Sequence, residues 1–256
     1  MIKYTVEQNI GKIILDRPDK FNSFNREMAL ALQEALRDCQ KNENVRAVFL
    51  CASGKAFSAG QDLSEAARPD GPGIEKIVAE HYNPIILLLR QIEKPVVCSV
   101  NGVAAGAGAN IALACDIVLA ARSANFIQAF SKIGLVPDSG GTFFLPRLVG
   151  LQQATALMML GEKIGAEEAQ RMGMIYRVFD DEILEKESWQ IALTLSEMPT
   201  RGLGLTKRLL NKSLFSTLEE QLKEEGKTQT EAGSTKDFNE GVQAFLQKRK
   251  PVFTGK

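Results

Sequence analysis

The chain of 256 residues has few of the residues that most often carry metal and redox chemistry. It has one histidine, His81, and four cysteines, none of them in a Cys-x-x-Cys pair. No spacing typical of metal ligands occurs, so we expect neither a metal site nor a disulfide framework. The cysteines all lie in apolar segments, which predicts buried free thiols in a reducing compartment. They are Cys39, Cys51, Cys98 and Cys115.

An excess of one charge is also lacking. Lysine plus arginine total 31, and aspartate plus glutamate total 31, so the formal net charge is zero. A general attraction for nucleic acid or an anionic membrane is therefore not expected. The N-terminus has no secretory pattern, and the longest apolar tract, Val103 to Ala121, is interrupted by Asn110 and Asp116. We interpret this tract as a helix followed by a strand, and expect a cytoplasmic protein without a membrane span.

Apolar strands alternate with amphipathic helices in most of the chain, which is the pattern of α/β architecture. Strands are predicted at 2–7, 12–15, 45–51, 96–100 and 175–179, with a turn at 9–11 between the first two. Helices are predicted at 25–41, 74–91, 110–115, 140–149, 151–160 and 166–172. Pro84 should break or kink the second helix, and Arg68 to Gly73 should form a mobile surface loop.

From residue 181 onward the pattern is entirely helical. The predicted helices there are 181–197, 201–214, 217–232 and 235–248. We therefore divide the chain into an α/β core, residues 1–195, and a C-terminal helical region, residues 196–256. The apolar faces of the second region are more numerous than one subunit can cover, which favours self-association.

Small residues follow two of the predicted strands. The denser stretch, Ala104 to Ala109, has almost no side chains, which indicates that something approaches this backbone closely. The stretch leads into the predicted helix at 110–115, and N–H groups at a helix start are unpaired and near the positive end of the dipole. They suit an oxygen that bears or gains negative charge. The second stretch, Ser53 to Leu63, fits a ligand site at a strand end, but a plain loop is slightly favoured by its spacing alone.

One acid, Asp138, follows in the turn Val136 to Gly141. Taken alone, an aspartate in Pro-Asp-Ser-Gly is more often a turn residue or helix cap than a catalyst. Its apolar neighbours are Val136, Pro137, Phe143 and Phe144. If these enclose the carboxyl group, desolvation would raise its pKa towards the range useful for a base.

Five segments together resemble the enoyl-CoA hydratase/isomerase family, also called the crotonase family. They are LDRPDKFNSFN, AFSAGQDL, KPVVCSVNGVAAGAGANIALACDIVLAA, LVPDSGGT and EGVQAFLQKRKPVF, and they span nearly the whole chain in family order. The resemblance implies a crotonase-like spiral of ββα units with a C-terminal helical region for assembly. It also implies homotrimers or homohexamers, acyl-CoA thioester substrates, no separate cofactor, and no nucleic-acid or membrane partner.

The resemblance assigns roles to both small-residue stretches. The backbone N–H groups of Gln61 and Ala107 would form an oxyanion hole for the thioester oxygen, which gains charge when a proton leaves the α-carbon. The CoA site would include Ala59, Asp62 and Lys20. Apart from the resemblance, the side chains of Phe130, Phe143 and Phe144 suggest an apolar acyl pocket that an aromatic ring could fill, and we assign Asn110 to the same pocket.

Two departures from the family pattern bear on the reaction. Hydratases of the family have glutamates at the places that Asn110 and Phe130 occupy here. Adding water needs one group that activates the water and another that manages the α-carbon proton, and neither residue can do so. Asp138 remains as the catalytic residue, because isomerases of the family can carry their acid at this turn and one base suffices to move a proton between two carbons. Asn110 has no proton to exchange at neutral pH, so we expect Asn110→Ala to cost little.

The resemblance therefore implies an isomerase, most closely one that acts on a ring epoxide of phenylacetyl-CoA, with some activity on 3-enoyl-CoA thioesters. A simple enoyl-CoA isomerase or hydratase of fatty-acid breakdown remains an alternative. A protein that binds RNA without catalysis is another, but it would need a basic stripe, and the charge balance shows none overall. His81, as a lone histidine, is interpreted as structural.

Overall fold

The structure, a computed structural model, describes residues 1–67 and 71–256. Its strands are β1 (Ile2–Glu7), β2 (Ile10–Leu15), β3 (Ala47–Ala52), β4 (Ala56–Ser58), β5 (Val96–Val100), β6 (Val103–Ala105), β7 (Ile117–Ala121), β8 (Asn125–Ile127), β9 (Lys163–Gly165) and β10 (Arg177–Phe179). The helices of the core are α1 (Arg26–Lys41), α2 (Leu63–Ala66), α3 (Gly73–Lys76), α4 (Asn83–Gln91), α5 (Ala107–Leu113), α6 (Gly141–Val149), α7 (Leu151–Leu160) and α8 (Ala166–Arg171). The loop predicted from Arg68 onward lies outside the described residues at 68–70.

Helices α9 (Leu184–Glu197), α10 (Thr200–Ser213), α11 (Leu218–Gly233) and α12 (Lys236–Leu246) complete the chain. The helical pattern predicted beyond residue 181 is therefore confirmed. Lys207 ties α10 to the core, because its buried Nζ donates hydrogen bonds to the Leu89 carbonyl and to Asp116 Oδ2, each at 2.7 Å. None of the described helices has the length and apolar content that crossing a bilayer would take.

From β3 to β8, consecutive strands alternate between two sheets. The larger sheet has the order β1-β2-β3-β5-β7-β10, and the smaller has the order β4-β6-β8-β9. Each of the pairs β3/β4, β5/β6 and β7/β8 thus places its first strand in the larger sheet and its second in the smaller one. Because the inner neighbours are parallel, the chain advances by one strand in each sheet with every pair. This repetition is the predicted spiral of ββα units, and the fold class is confirmed.

The first hairpin turns one residue earlier than predicted. Gln8 and Asn9 occupy the turn with φ of 49° and 62°, and β2 already begins at Ile10. Two consecutive residues with positive φ are the conformation that matches the twist of a two-residue hairpin. The start of the next element follows the prediction, because the Asn25 side chain caps α1 by accepting a hydrogen bond from the Met28 N–H at 3.0 Å.

The predicted helix at 74–91 is not a single α-helix. Between α3 and α4 lie wider π-helical turns, Ile77–Tyr82, which we call the π segment. Pro84 follows in the first turn of α4 and cannot donate a backbone hydrogen bond to the preceding π segment. The interruption expected from Pro84 is therefore present as a change of helix type just before it.

Helix α5 begins at Ala107, three residues before the predicted start, because the chain turns at Gly106 with φ of 52°. The close approach inferred from the small residues is also found, but the partner is the chain itself. A Cβ on Gly102 would lie 2.2 Å from the carbonyl oxygen of Lys55, and one on Gly108 would lie 2.6 Å from the Ser58 Cβ. The small residues thus let the segment 102–108 pack directly on the segment around β4.

The cysteines are free thiols, as predicted. Cys39, Cys98 and Cys115 are buried and Cys51 is partly buried. Burial raises the pKa of the Cys39 thiol to about 11, so this thiol stays protonated at neutral pH. The thiols contribute to the apolar interior rather than to an exposed reactive site.

Candidate active site

A partly enclosed, mostly apolar cavity of about 160 Å³ lies beyond the ends of β4 and β6. Four segments line it: 59–66, 74–82, 106–107 and 129–138. Asp138 is the one carboxylate among its described lining residues, and Gln61 and Tyr82 bring the other polar side-chain atoms. The cavity therefore combines apolar walls with a few polar groups, as ligand sites commonly do.

Gln61 and Ala107 meet at this cavity because β4 and β6 are adjacent parallel strands. Gly60 makes the approach possible. Its φ is +87°, and a Cβ there would lie 2.8 Å from the Ala105 carbonyl oxygen and 3.4 Å from the Ala107 nitrogen. A side chain at position 60 would thus crowd the Ala107 N–H.

Among the described residues, neither the Gln61 N–H nor the Ala107 N–H donates a hydrogen bond to a backbone carbonyl. Ala107 is the first residue of α5, so its N–H has no acceptor within the helix. On either side of Gln61, the Gly60 carbonyl accepts from the Phe24 N–H at 2.7 Å and the Asp62 N–H donates to the Phe24 carbonyl at 2.8 Å. These two bonds hold the backbone around Gln61 against Phe24. Because successive N–H groups of an extended chain point in opposite directions, the Gln61 N–H points away from Phe24.

The Asp138 carboxyl group is half-buried in this cavity. Burial raises its pKa, while the Ser139 hydroxyl, which donates to Asp138 Oδ1 at 2.8 Å, opposes the shift. The expected direction is present, but the predicted enclosure is wrong for Val136, which is 80% exposed. The apolar side chains that share the cavity with Asp138 include those of Phe130, Ile133 and Leu135.

Asn110 lies behind the Asp138 loop instead of lining the described cavity. It is only 1% exposed, and its Nδ2 donates to the Asp138 backbone carbonyl at 2.9 Å. Its Oδ1 accepts a hydrogen bond from Gln128 Nε2 at 2.8 Å. The position assigned to an acyl-pocket residue therefore holds a buried amide that supports the loop.

The two phenylalanines predicted for the acyl pocket lie in different places. Phe130 lines the cavity. Phe143 does not, because it stacks on Phe215 after α10, with ring centroids 5.5 Å apart, and carries the Arg147 guanidinium 3.9 Å from its centroid. Phe143 belongs to a separate apolar depression, and its predicted place in the acyl pocket is not what the structure shows.

Of the residues predicted for the CoA site, Ala59 lines the cavity, and Asp62 and Lys20 are not among its described lining residues. Ala59 is exposed, and its N–H donates to the Phe21 carbonyl. The exposed Lys20 precedes Phe21 in the chain. Asp62 pairs with Arg17 Nη1 at 2.7 Å and caps α2 by accepting from the Ser64 N–H at 3.0 Å. Although burial opposes it, the hydrogen bonds from Ser64 and Arg17 lower the pKa of Asp62.

Sequence reasoning missed the polar side chains of Tyr82 and Gln128. Tyr82 is fully buried beside a lone histidine and carries no motif, so only the fold reveals that it faces the cavity.

His81 is buried as well, its Nδ1 has no partner in the described chain, and burial lowers its pKa. Within the described ranges, no group of three or more His, Cys, Asp or Glu side chains could hold a metal ion.

Comparison with known proteins relates this geometry to one family. Residues 5–256 match the family model described as enoyl-CoA hydratase/isomerase. The chain is 47% identical over 254 residues to the 1,2-epoxyphenylacetyl-CoA isomerase of Escherichia coli, which covers 98% of this chain and 97% of the relative. It is 38% identical over 258 residues to the trans-2-decenoyl-[acyl-carrier-protein] isomerase of Streptococcus mutans, and the match covers 100% of this chain and 98% of the relative. A crystal structure of a family member from Mycobacterium abscessus superposes with a TM-score of 0.96 at 38% identity, covering 100% of both chains.

Proposed function

The chain belongs to the enoyl-CoA hydratase/isomerase family, and from this membership and the cavity around Asp138 we propose that it converts a ring 1,2-epoxide of phenylacetyl-CoA to the seven-membered oxepin thioester. The observation that carries the proposal is the pairing of one carboxylate with two backbone donors in a cavity of the size of an aromatic ring. The relative from Escherichia coli supports the choice of substrate.

The proposed reaction needs one base and one anion site. The Asp138 carboxylate takes a proton from the α-carbon of the thioester, and the electron pair moves onto the carbonyl oxygen. The N–H groups of Gln61 and Ala107 stabilise that oxygen as its charge develops. The ring C–C bond shared with the epoxide opens, the proton returns to a ring carbon, and no atom is gained or lost.

The raised pKa of Asp138 fits this use of one carboxyl group for both transfers. A group that accepts and then returns a proton works best when its pKa lies near the pH at which the enzyme operates. Because the cavity around the carboxyl is mostly apolar, the charged form is disfavoured, and the carboxylate becomes a stronger base than one in water.

The volume of the cavity favours an aromatic acyl group. Engineered apolar cavities of about 150 Å³ bind benzene. The cavity of about 160 Å³ next to Asp138 thus accommodates one ring, and the side chain of Phe130 forms part of its wall. A ten-carbon chain would need more room than this closed part provides.

A linear 3-enoyl thioester is the second candidate substrate. The apolar side chains of Leu63, Ile74 and Ile133 line the cavity and are more than half exposed, so a longer chain could leave the cavity along them. The relative from Streptococcus mutans supports this candidate. The same base and the same two donors would move the double bond.

Turnover of matched thioesters tests the proposal. The purified protein is given the ring epoxide of phenylacetyl-CoA and linear 3-enoyl-CoA thioesters of six and ten carbons, and products are followed by mass spectrometry. We expect kcat/KM for the epoxide to exceed that for the linear chains by at least about tenfold, with no change of substrate mass. A gain of one water would show hydration, and preference for the ten-carbon chain would favour the second candidate.

We also propose that the protein assembles as a trimer or a dimer of trimers. Apolar side chains stand exposed on the C-terminal helices, and a surface of this kind is typical of an interface. The exposed apolar residues of α11, α12 and the turn before them include Phe215, Leu218, Leu222, Phe238, Phe245 and Leu246.

A further inference from the structure

The side chain of Gln61 is held at both ends of its amide. Tyr82 Oη donates a hydrogen bond to Gln61 Oε1 at 2.7 Å. Gln61 Nε2 donates to Glu65 Oε2 at 3.2 Å, and Glu65 in turn accepts from the backbone N–H of Arg26. A long, flexible side chain that is bonded at both ends of its terminal group has lost most of its freedom, and it restrains the peptide that carries it.

Tyr82 is well fixed for this contact. Its ring is 0% exposed and packs edge-on against Phe24, with centroids 6.0 Å apart. Phe24 is the residue whose backbone pairs on both sides of Gln61. Tyr82 therefore supports Gln61 through its hydroxyl group directly and through its ring by way of Phe24.

The π segment brings the hydroxyl group to this place. Tyr82 is the last residue of that segment, and π-helical turns occur frequently at functional sites. In the wide turns the Asn83 N–H donates to the Val78 carbonyl, five residues back, so side chains are displaced from their positions on a regular α-helix.

The phenol acts as a donor here. Burial raises the pKa of Tyr82 well above its ordinary value, and the negative charges of Asp138 and Glu65 act in the same direction. The phenol therefore stays protonated at neutral pH, and its O–H donates a hydrogen bond to Gln61 Oε1. The hydrogen bond has an orienting use, because the proton is already engaged and is not exchanged with a substrate.

We propose that Tyr82 is a positioning residue that orients the Gln61 N–H towards the thioester oxygen through its hydrogen bond to the Gln61 side chain. The inference rests on the proposed function only in assigning that oxygen to the Gln61 N–H. Removing a whole oxyanion donor costs about 10²–10³ in kcat. A donor that remains but loses its orientation should cost less, about tenfold.

Kinetics of three variants test whether Tyr82 acts through Gln61. Tyr82→Phe keeps the ring and should lower kcat about tenfold with KM changed less than about twofold and an unaltered pH profile. Gln61→Leu should do the same, and the double variant should be no slower than the slower single one, because both remove one interaction. Multiplied losses in the double variant, or Tyr82→Phe activity within about twofold of the parent, would overturn the proposal.

Tyr4→Phe is the matched control. It also removes a phenol hydroxyl that donates to a side chain, Asp38 Oδ2 at 2.5 Å, but Tyr4 lies outside the lining of the cavity. Its turnover should equal that of the parent protein. A tenfold loss in this control would mean that any deleted phenol hydroxyl slows the protein, which would contradict a specific role for Tyr82.

A spectroscopic readout separates this inference from the reaction. A conjugated aryl-acryloyl-CoA thioester absorbs at longer wavelength when hydrogen-bond donors polarise its carbonyl group. We expect a red shift on binding to the parent and to Asp138→Asn, and a smaller one in Tyr82→Phe. Equal shifts in the parent and Tyr82→Phe, or none in the parent, would overturn the inference. If the parent shifts the spectrum but turns over no thioester, the proposed function fails while the inference stands.

Discussion

Asn110 Nδ2 donates a hydrogen bond to the backbone carbonyl of Asp138 at 2.9 Å, across 28 positions of the chain. The same amide accepts from Gln128 Nε2 at 2.8 Å, so a chain of two buried amides supports the loop that carries the proposed base. A Cβ on Gly141 would lie 2.4 Å from Asn110 Nδ2, which shows how tightly the loop is packed on this side chain. The expectation that Asn110 contributes little is therefore revised.

Asn110→Ala should slow turnover and destabilise the fold. It leaves the buried Gln128 Nε2 without its acceptor, which costs about 1–3 kcal/mol for an unsatisfied group. It also removes one of the two hydrogen bonds to the Asp138 carbonyl, which keeps the bond from the Gly141 N–H. We expect kcat to fall about tenfold, because the loop loses its orientation. Denaturant unfolding and steady-state kinetics measure the two effects. Asn239→Ala, at an exposed position, is the control, and an Asn110→Ala protein as stable and active as the parent would contradict the role.

Asp138→Asn should remove most of the turnover while sparing binding. General acid–base groups contribute about 10²–10⁴ in rate, and the proposed oxyanion and CoA contacts come from other segments. We expect a large fall in kcat with KM changed less than about threefold. Asparagine retains an oxygen that can accept from the Ser139 hydroxyl, so the fold should persist. Activity within tenfold of the parent would show that Asp138 is not the base.

The pH dependence should follow the raised pKa of Asp138. As pH falls through that pKa, the carboxylate takes up a proton and kcat/KM should decline along a single acid limb. The limb should lie above the ordinary aspartate pKa of about 3.9. Initial rates across buffers of constant ionic strength give the profile, and a limb at or below the ordinary value would be inconsistent with a buried base.

The same shift predicts a stability effect of known sign. The folded state binds the Asp138 proton more tightly than the unfolded chain does, so this group's contribution to stability falls as pH rises from the ordinary pKa through the raised one. Asp138→Asn removes that cost. The Tm of the variant minus the Tm of the parent should therefore be larger at pH 7 than at pH 4. The opposite trend would contradict the raised pKa.

Gly60→Ala should disable the proposed oxyanion hole. With φ of +87° and a Cβ that would lie 2.8 Å from the Ala105 carbonyl oxygen, the alanine needs a shift of the backbone between the two donors. We expect a loss of about 1–3 kcal/mol in stability and at least about tenfold in kcat. Gly226→Ala is the control, because its Cβ would enter open space on α11 and should stabilise the helix slightly.

Light scattering tests the assembly. At micromolar concentration we expect three or six times the chain mass of 28.0 kDa. Phe245→Asp should lower that mass, since Phe245 is 83% exposed on α12 and a charge at an interface costs association energy. A parent protein that stays monomeric would defeat the proposal.

Local periodicity and capping predicted most elements of this fold. The buried face of α1 and its Asn25 cap were readable because both depend on neighbouring residues. The early start of α5 was missed, because small residues have no periodic signal and Gly106 turns the chain before them. The π segment was missed for a related reason: its residues resemble those of an α-helix, and the wide turns arise from packing.

The candidate site divides in a similar way. Asp138, Gln61 and Ala107 were identified by family pattern, and the fold brings all three to one cavity. Phe143 was expected in the acyl pocket as an apolar side chain, but α6 carries it to Phe215. Tyr82 comes from another segment, and no local pattern marks a contact between positions 21 residues apart.

The neighbouring positions of β4 and β6 bring together the two segments of the proposed anion site. Gln61 and Ala107 follow adjacent strands of one sheet, and such strands lie about 4.8 Å apart in every protein. The sheet thus sets how closely the two segments that carry the proposed donors approach each other, and the residues proposed to select the acyl group and supply the base come from other segments. Evolution or design can therefore exchange the acid–base chemistry by changing the Asp138 loop, while the proposed anion site is kept as long as the strands and Tyr82 are kept.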